Sequence, residues 1–336
     1  MAFTVYRSTD GSAPVLTGQA GALTTALDAI LVNGYGAKGA AGWTTTFTAT
    51  NKRVYRPAAG TRLYLRVHDN GTGAGGGKEA LLRGAEAWSD IDTPDHPFPT
   101  AAQSALTDSS LVARKSVTAD ATARAWVCFA DGRTCYFLAA SGDTAGLYVG
   151  WMFGDFFSLV SGDVYNCALI ARSAENSGAY TAEQLPVMTV LNVGSALAGH
   201  YLARGHTGLG TSVGFGLAGD VMPSGGSSGS SGVMGGAATN AAYQADFLNA
   251  ADGGIYLAPL RVYDPTTEGK QTYRGRLRGL WQGVQDLYAN VADGDTLSGV
   301  GDLAGRSFVF IKGTPAASAA YYGVYTMETS DTLESN

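Results

Sequence analysis

Apolar residues recur at helical spacing near the start of the chain and at alternate positions through much of the remaining sequence. The helical pattern places side chains on one face at i, i+4, i+7 and i+8, and it is formed by Leu23, Leu27, Ile30 and Leu31. Gly34, or Asn33 beside it, supplies the left-handed residue that commonly ends a helix. The pattern predicts one short amphipathic helix.

Strand-like alternation is clearest in residues 61–68, where Leu63, Leu65 and Val67 occupy every second position. Because successive side chains of a strand point to opposite faces, these three should face a core. An Asp-Gly turn at 131–132, between the runs 115–129 and 134–138, is the strongest hairpin signal. Further strands are predicted at residues 43–50, 53–56, 78–88, 147–157, 164–172, 188–193, 255–263, 306–312 and 321–328, the last two as a terminal pair.

These elements predict a fold that is mainly β with minor α (α+β). Antiparallel sheets in a β-sandwich-like arrangement are expected, with one short N-terminal amphipathic helix. Residues 1–110 are predicted to form an N-terminal helix plus β domain. Residues 111–336 are predicted to form a β-rich domain with a flexible Gly/Ser loop at 223–236. The alternative is that this segment separates two domains. Because apolar density is similar on its two sides, a boundary near residue 110 is equally defensible.

Composition favours a packed protein with a weakly charged surface. The 336 residues are 45% hydrophobic, which is ample for a core. Glycine accounts for 47 residues, and charged residues make up 15%, against a usual share of about a quarter. This combination suits many tight turns and a surface that packs against neighbours, as in a subunit of an assembly.

The formal net charge of −6 argues against a nucleic-acid partner. Binding through counterion release needs clustered Lys and Arg. The densest basic group, Arg274, Arg276 and Arg278, alternates along a predicted strand and therefore shares one face. A solvated or salt-bridged strand face is favoured over a patch that contacts phosphates.

Sequence features that bear on the compartment are few. No run approaches the roughly 20 apolar residues that span a bilayer, so no membrane insertion is expected. The first six residues lack the features of a signal peptide, which predicts synthesis in a cytosol. In that reducing compartment Cys128, Cys135 and Cys167 are expected to be buried free thiols. A cross-strand approach of Cys128 and Cys135 is the alternative.

Motifs that carry chemistry elsewhere have structural explanations here. Residues 71–76 have the spacing of a dinucleotide-binding fingerprint, but a strand comes after them, which favours a hairpin loop. Residues 225–229 match the nucleophile-elbow pattern around Ser227, inside a repetitive linker. The histidines lack metal-ligand spacing and are expected to be structural; they are His68, His96, His200 and His206.

Two groups of aspartates are candidates for glycoside hydrolysis, which uses two carboxyls about 5 to 9 Å apart. They are Asp90, Asp92 and Asp95, and Asp293, Asp295 and Asp302. The second group also resembles the start of a calcium loop, but the acidic residue expected at its twelfth position is missing. Turn formation is favoured, because Asp in such sequences bonds nearby backbone amides. No catalytic, cofactor-binding or metal residue is therefore assigned, no cofactor is expected, and the chain is predicted not to be an enzyme.

The aromatic residues allow two interpretations. All five Trp lie in apolar phrases and are expected in the core or at subunit interfaces. Exposed Tyr and Trp can instead stack on sugars, and the segment 321–325 is the main candidate for that role.

Turn and packing phrases occur in order through nearly the whole chain. They are LVNGYGAK (31–38), AGWT (41–44), TNKRVYR (50–56), LRGAEAWSDIDT (82–93), MFGDF (152–156), SGDVYN (161–166), ARGH (203–206), RGRLRGLW (274–281) and GDLAGR (301–306). With these phrases the chain resembles a family of virion structural proteins from tailed bacteriophages, most of whose members have no assigned activity.

The resemblance implies a non-enzymatic structural subunit located in the virion and assembled in the host cytoplasm. A tail-associated position at the baseplate or tail tip is expected. The alternatives are a capsid head-decorating protein and a tail protein that binds or cleaves a host glycan. Expected partners are other virion proteins and copies of the chain in a homo-oligomer, with a host-surface glycan as the alternative partner.

Overall fold

A computed structural model describes residues 2–141, 148–175, 198–218, 254–265, 271–283, 291–312 and 324–330. Over these ranges the chain is mostly antiparallel β-sheet with one short helix, as predicted. None of the helices in these ranges is long and apolar enough to cross a bilayer. The predicted strand at 188–193 and the Gly/Ser segment at 223–236 lie outside the described residues.

The helix combines an α-helical part with a wider π-helical turn. α1 spans Ala22–Leu27, and the π-helical part continues it at Asp28–Asn33. The fully buried apolar side chains of both parts are Leu23, Ala26, Leu27, Ile30 and Leu31. Gly34 comes next with a φ of 77°, a left-handed conformation that glycine adopts without a steric penalty.

Thirteen strands form the first hydrogen-bonded group. They are β1 Thr4–Arg7, β2 Thr44–Ala49, β3 Lys52–Arg56, β4 Tyr64–His68, β5 Glu79–Trp88, β6 Pro94–Phe98, β7 Leu111–Arg114, β8 Trp126–Ala130, β9 Thr134–Ala140, β10 Tyr148–Ser158, β11 Cys167–Arg172, β12 Ala198–Leu202 and β13 Val213–Gly214. β2 to β5 form an antiparallel meander, and β6 and β7 both pair with β5. β8 to β13 are neighbours in chain order, with β1 beside β8 and β7 touching β11.

The second group is joined to the first by backbone hydrogen bonds of β10. Its strands are β14 Gly216–Ala218, β15 Leu257–Pro265, β16 Gln271–Gly283, β17 Thr296–Ser298, β18 Ser307–Lys312 and β19 Val324–Glu328. They lie in the order β14, β15, β16, β19, β18, β17. β10 belongs to both groups, because its residues 156–158 pair with β16. Short 3-10 turns occur at Gly76–Lys78, Thr107–Ser109 and Gly301–Leu303.

Strands β8 to β11 are buried on both faces, because alternate residues enter two different cores. Phe137 and Trp151 belong to the core that contains the helix and residues of β3 to β5. Tyr136 and Met152 belong to the core that contains residues of β15, β16, β18 and β19. The nearly unbroken apolar sequence of these strands is a consequence of this double burial.

Several local predictions are confirmed. Leu63, Leu65 and Val67 are all buried. β8 and β9 form the hairpin around the Asp-Gly turn, with Ala130 opposite Cys135. β18 and β19 form the predicted terminal pair.

The predicted strand at 115–129 is wrong over its first part, because β7 ends at Arg114 and β8 begins at Trp126. Lys115 turns inward and forms an ion pair with Asp69. Beyond it, Ser116 Oγ accepts a hydrogen bond from Arg124 Nε at 3.0 Å. Such local side-chain bonds compete with strand pairing.

Strands on the two sides of residue 110 pair with each other. β5 pairs with β7, and β1 pairs with β8. The division into residues 1–110 and 111–336 stays a prediction.

Leu65→Ala should lower the free energy of unfolding by about 2–5 kcal/mol, because Leu65 is fully buried and its removal leaves a cavity. The matched control is Leu209→Ala, since Leu209 is 76% exposed; it should change stability by less than about 0.5 kcal/mol. Chemical denaturation of both variants measures the difference. Equal losses would show that Leu65 is not a core residue.

Candidate functional site

The first aspartate group forms a turn and an ion-pair network. Asp90 accepts hydrogen bonds from the backbone N–H groups of Asp92 and Thr93, at 2.8 and 2.9 Å. These bonds hold the pKa of Asp90 below its usual value. The Asp92 carboxylate pairs with Lys52 at 2.8 Å and with Arg66 at 3.1 Å. Both side chains therefore have structural partners.

The second aspartate group also lies in turns. Asp293 accepts from the backbone N–H of Lys312 at 3.0 Å, and Asp295 accepts from that of Ala292 at 2.7 Å. Asp302 lies in the 3-10 turn Gly301–Leu303. Across the described ranges, no three His, Cys, Asp or Glu side chains are arranged to hold a metal ion.

The histidines make structural contacts. Three lie beside an aspartate: His68 Nδ1 is 2.8 Å from Asp108, His96 Nδ1 is 2.8 Å from Asp95, and His206 Nδ1 is 3.2 Å from Asp264. His200 packs against Phe215 with ring centroids 5.6 Å apart, and burial lowers its pKa to about 4.

The first glycine motif lies in a hairpin loop, and the second lies outside the described residues. The aromatic candidates are either buried or outside the described residues. Residues 71–76 lie in the connection between β4 and β5, which pair antiparallel as a hairpin. Ser227 and residues 321–323 lie outside the described residues, and Tyr325 is buried. The five Trp are buried as well.

The three cysteines are buried free thiols, and two of them also approach each other across a hairpin. Cys128 Sγ lies 3.6 Å from Cys135 Sγ across the β8–β9 hairpin. Both are free and buried, as is Cys167. Burial raises the pKa of the Cys128 and Cys167 thiols well above the usual value.

Arg274 of β16 is the centre of one buried ionic cluster. Its Nη2 lies 2.9 Å from Asp163 Oδ2, and its Nη1 lies 3.4 Å from Asp264 Oδ1. Nη1 also donates to the carbonyl oxygen of Arg204. Both carboxylates are almost fully buried, so a saccharide in solution has no direct path to them.

Arg278, four residues later, is the centre of a second cluster. Its guanidinium donates to both carboxylate oxygens of Asp131, at 3.2 and 2.7 Å, and to Thr134 Oγ1 at 2.9 Å. The salt-bridged interpretation of the β16 arginines is confirmed for Arg274 and Arg278, while the solvated interpretation is wrong for both, because they are buried. Arg276 is partly exposed and lies 5.4 Å above the Phe157 ring.

Asp155 is a buried carboxylate held by hydrogen bonds. It accepts from Thr61 Oγ1 at 2.6 Å and from the Thr61 backbone N–H at 3.1 Å. Burial raises the pKa of Asp155 to about 6. A side chain at position 60 would place its Cβ 1.7 Å from Asp155 Oδ2, so this approach requires Gly60.

A basic cluster covers the face of β3 to β5 that is turned away from the helix core. We call it the Arg66 face, and its members are Lys52, Arg56, Arg66, His68, Arg83 and Trp88, with Asp92 and Asp108 beside them. The buried Arg66 guanidinium lies 5.3 Å above the Trp88 ring. It pairs with Asp92 and, at 2.7 Å, with Asp108.

Asp108 is held in place by two partners on this face. Its φ is 58°, a conformation that Asp adopts more readily than most residues. One carboxylate oxygen contacts both Arg66 Nη2 and His68 Nδ1. The hydrogen bond with His68, followed by the charge of Arg66, lowers the pKa of Asp108 to about 2.

Arg83 lies directly opposite Arg66 on the neighbouring strand. Its Nε is buried and has no hydrogen-bond partner in the described part of the chain. Burial, and then the charge of Arg66, lower the pKa of Arg83. Further buried atoms on the same face without a partner in that part of the chain are Arg66 Nε, His68 Nε2 and Trp88 Nε1.

Sequence reasoning missed the Arg66 face because its members come from three strands and two loops. Each basic residue lies on a strand at a position where a charged side chain is ordinarily expected to face solvent. The available signal was the repetition of that pattern, with Lys52, Arg66 and Arg83 in successive antiparallel strands.

Arg278→Met should lower the free energy of unfolding by about 3–5 kcal/mol, because it leaves the buried Asp131 carboxylate without its cation. Arg276→Met is the matched control on the same strand, and it should cost about 1 kcal/mol or less, since Arg276 is partly exposed. Urea denaturation measures both. A loss for Arg276→Met as large as that for Arg278→Met would contradict the assigned role.

Asp155→Asn should flatten part of the pH dependence of stability. The pKa of Asp155 is about 6 in the fold against an ordinary value of 3.8, so the folded state binds this proton more tightly. The stabilisation is complete below about pH 4 and is lost as the pH rises through about 6. It amounts to about 3 kcal/mol at 1.36 kcal/mol per pKa unit, and urea midpoints across this range report it.

Asp90→Asn is the control: the pKa of Asp90 is lowered, so its contribution is lost as the pH falls, and this variant should keep the wild-type decline. An unchanged decline in Asp155→Asn would exclude Asp155 as its source.

Comparison with known proteins adds no relative: no family model matches the chain, and no curated protein matches its sequence.

Proposed function

We propose that the chain is a non-enzymatic structural subunit of a tailed-phage virion, associated with the tail at the baseplate or tail tip. It acts through contacts with other virion proteins and with copies of itself. The turn and packing phrases that occur in order between residues 31 and 306 support the virion assignment. The use of charged side chains inside the fold supports the structural role.

The observation that carries the proposal is the burial of ionic side chains in an already weakly charged chain. Charged residues make up only 15% of the sequence, and many of them are inside the fold. The buried ones include Arg66, Asp69, Glu79, Arg114, Lys115, Asp131, Asp155, Arg172, Asp264, Arg274, Arg278 and Glu328. In the described residues these charges are withdrawn from the surface, which supports contacts of the kind made by interface cores, where charged residues are depleted.

The non-enzymatic part of the proposal is supported by the state of the carboxylates. Asp163 and Asp264 share Arg274 and are almost fully buried, while Asp92 and Asp108 share Arg66. Glycoside hydrolysis needs one carboxyl with a raised pKa beside a second that is ionised and open to the sugar. Among these four, Asp108 has a lowered pKa.

Exposed apolar side chains near the Arg274 cluster support contacts with neighbouring subunits. Leu159 and Val164 are more than three-fifths exposed. The Leu159 backbone N–H donates to the Arg274 carbonyl at 2.7 Å, and Val164 comes directly after Asp163 in the chain. The ionic cluster thus fixes the backbone beneath both side chains, which gives a partner a rigid apolar surface.

The proposal includes a β-sandwich-like arrangement and an amphipathic N-terminal helix. The two cores on opposite faces of β8 to β11 support the layered arrangement. Along the helix, Thr25 and Asn33 are exposed while Leu27 and Leu31 are buried, which supports amphipathic character.

Gold-labelled antibody against the purified chain should bind intact virions at the tail or its tip, as seen by electron microscopy. The control is the same antibody after absorption with the purified chain, which should lose all labelling. Label spread over the capsid would replace the tail position with a head-decorating role. Particles free of label, in preparations where the antibody detects the denatured chain in infected cells, would overturn the virion proposal.

A further inference from the structure

The Arg66 face has more cations than carboxylates. Asp92 is shared between Lys52 and Arg66, and Asp108 is shared between Arg66 and His68. No carboxylate of the described chain lies within ion-pair distance of Arg83, although Asp108 acts on it through space.

Arg83 and Arg66 face each other directly across two strands. Like charges in this position repel, with side chains whose Cβ atoms lie about 4.5–5.5 Å apart. A partly buried guanidinium with an unbonded N–H also carries a desolvation cost. Both costs are relieved if an anion binds between or beside the two guanidinium groups.

The two carboxylates at the edge of this face are exposed to solvent. Asp92 is 53% exposed and Asp108 is 33% exposed. Arg66 and Trp88 are buried in contact with each other, and Arg66 Nε and Trp88 Nε1 are donors without a partner in the described residues. A ligand with several acceptor oxygens suits such a set of donors.

The geometry points to an oxyanion site at Arg83, with a phosphate or sulfate group as the ligand. The planar fork of Arg83 can donate two parallel hydrogen bonds to such a group. Asp92 and Asp108 neutralise the charges of Lys52 and Arg66, so the positive excess of this face comes from Arg83 and Arg56, and it favours a doubly charged anion over chloride. The site does not depend on a role in a virion.

Thermal unfolding and calorimetry of the purified full chain test the site with inorganic phosphate and sulfate, against chloride at equal ionic strength. Phosphate and sulfate should bind and raise the unfolding temperature, since a ligand of the folded state stabilises it. Arg83→Met should weaken phosphate affinity by about tenfold or more, the loss expected for a bidentate charge-assisted contact. Arg276→Met, which removes a partly exposed arginine that stacks on Phe157, should leave the affinity unchanged.

Without added oxyanion, Arg83→Met should be at least as stable as wild type, because it removes the repulsion with Arg66. If Arg83→Met does not fold, Arg83→Lys keeps the charge and loses the fork, and it should bind phosphate several-fold more weakly.

Glucose 6-phosphate distinguishes the ligand source: binding equal to that of phosphate assigns a phosphate substituent on a larger molecule, and binding of the free ion alone assigns inorganic phosphate. Absence of any phosphate or sulfate effect on wild type, or equal affinities for Arg83→Met and Arg276→Met, would overturn the site.

Discussion

The ion pair between Asp131 and Arg278 joins the β8–β9 hairpin to β16, next to the core that contains the helix. Asp131 occupies the hairpin turn of the doubly buried strands, and its carbonyl accepts the Trp43 indole N–H from the helix core at 2.6 Å. Its carboxylate receives Arg278 of β16 from the other side, and the Arg278 carbonyl accepts the Tyr136 hydroxyl. Removing two charges from water is costly, and these additional hydrogen bonds offset that cost. The pair therefore fixes how β9 sits between β16 and the helix core.

Two further ion pairs hold loop residues against other elements. Lys115 pairs with Asp69, whose second carboxylate oxygen accepts the Leu23 backbone N–H near the start of α1 at 2.7 Å. Arg274 binds Asp163 of the loop after β10. Each pair anchors irregular backbone that apolar packing alone would leave without a unique position.

The sequence predicts what short-range periodicity determines. Leu63, Leu65 and Val67, the Asp-Gly hairpin and the terminal strand pair depend on spacings of a few residues, and all were predictable. The pairing of Arg278 with Asp131 was not, because the two are 147 residues apart and nothing in either phrase identifies its partner. The inward position of Lys115 was unpredictable for a related reason: a lysine is expected at the surface, and only the position of Asp69 makes its burial possible. The Arg66 face was equally hidden, because its charged residues come from three separate strands and each is ordinarily expected at the surface.

Net charge and local charge lead to different conclusions about partners. The overall value of −6 disfavours a polyanion, because each phosphate contact on a nucleic acid needs its own cation and the affinity depends on many such contacts. The Arg66 face does not alter that conclusion, since Asp92 and Asp108 already neutralise part of its charge. The remainder is a small excess of positive charge in a partly desolvated place, where a single interaction is stronger than in water. Such an excess matches one compact anion rather than a long polymer, so an acidic chain can carry a specific oxyanion site without being a nucleic-acid-binding protein.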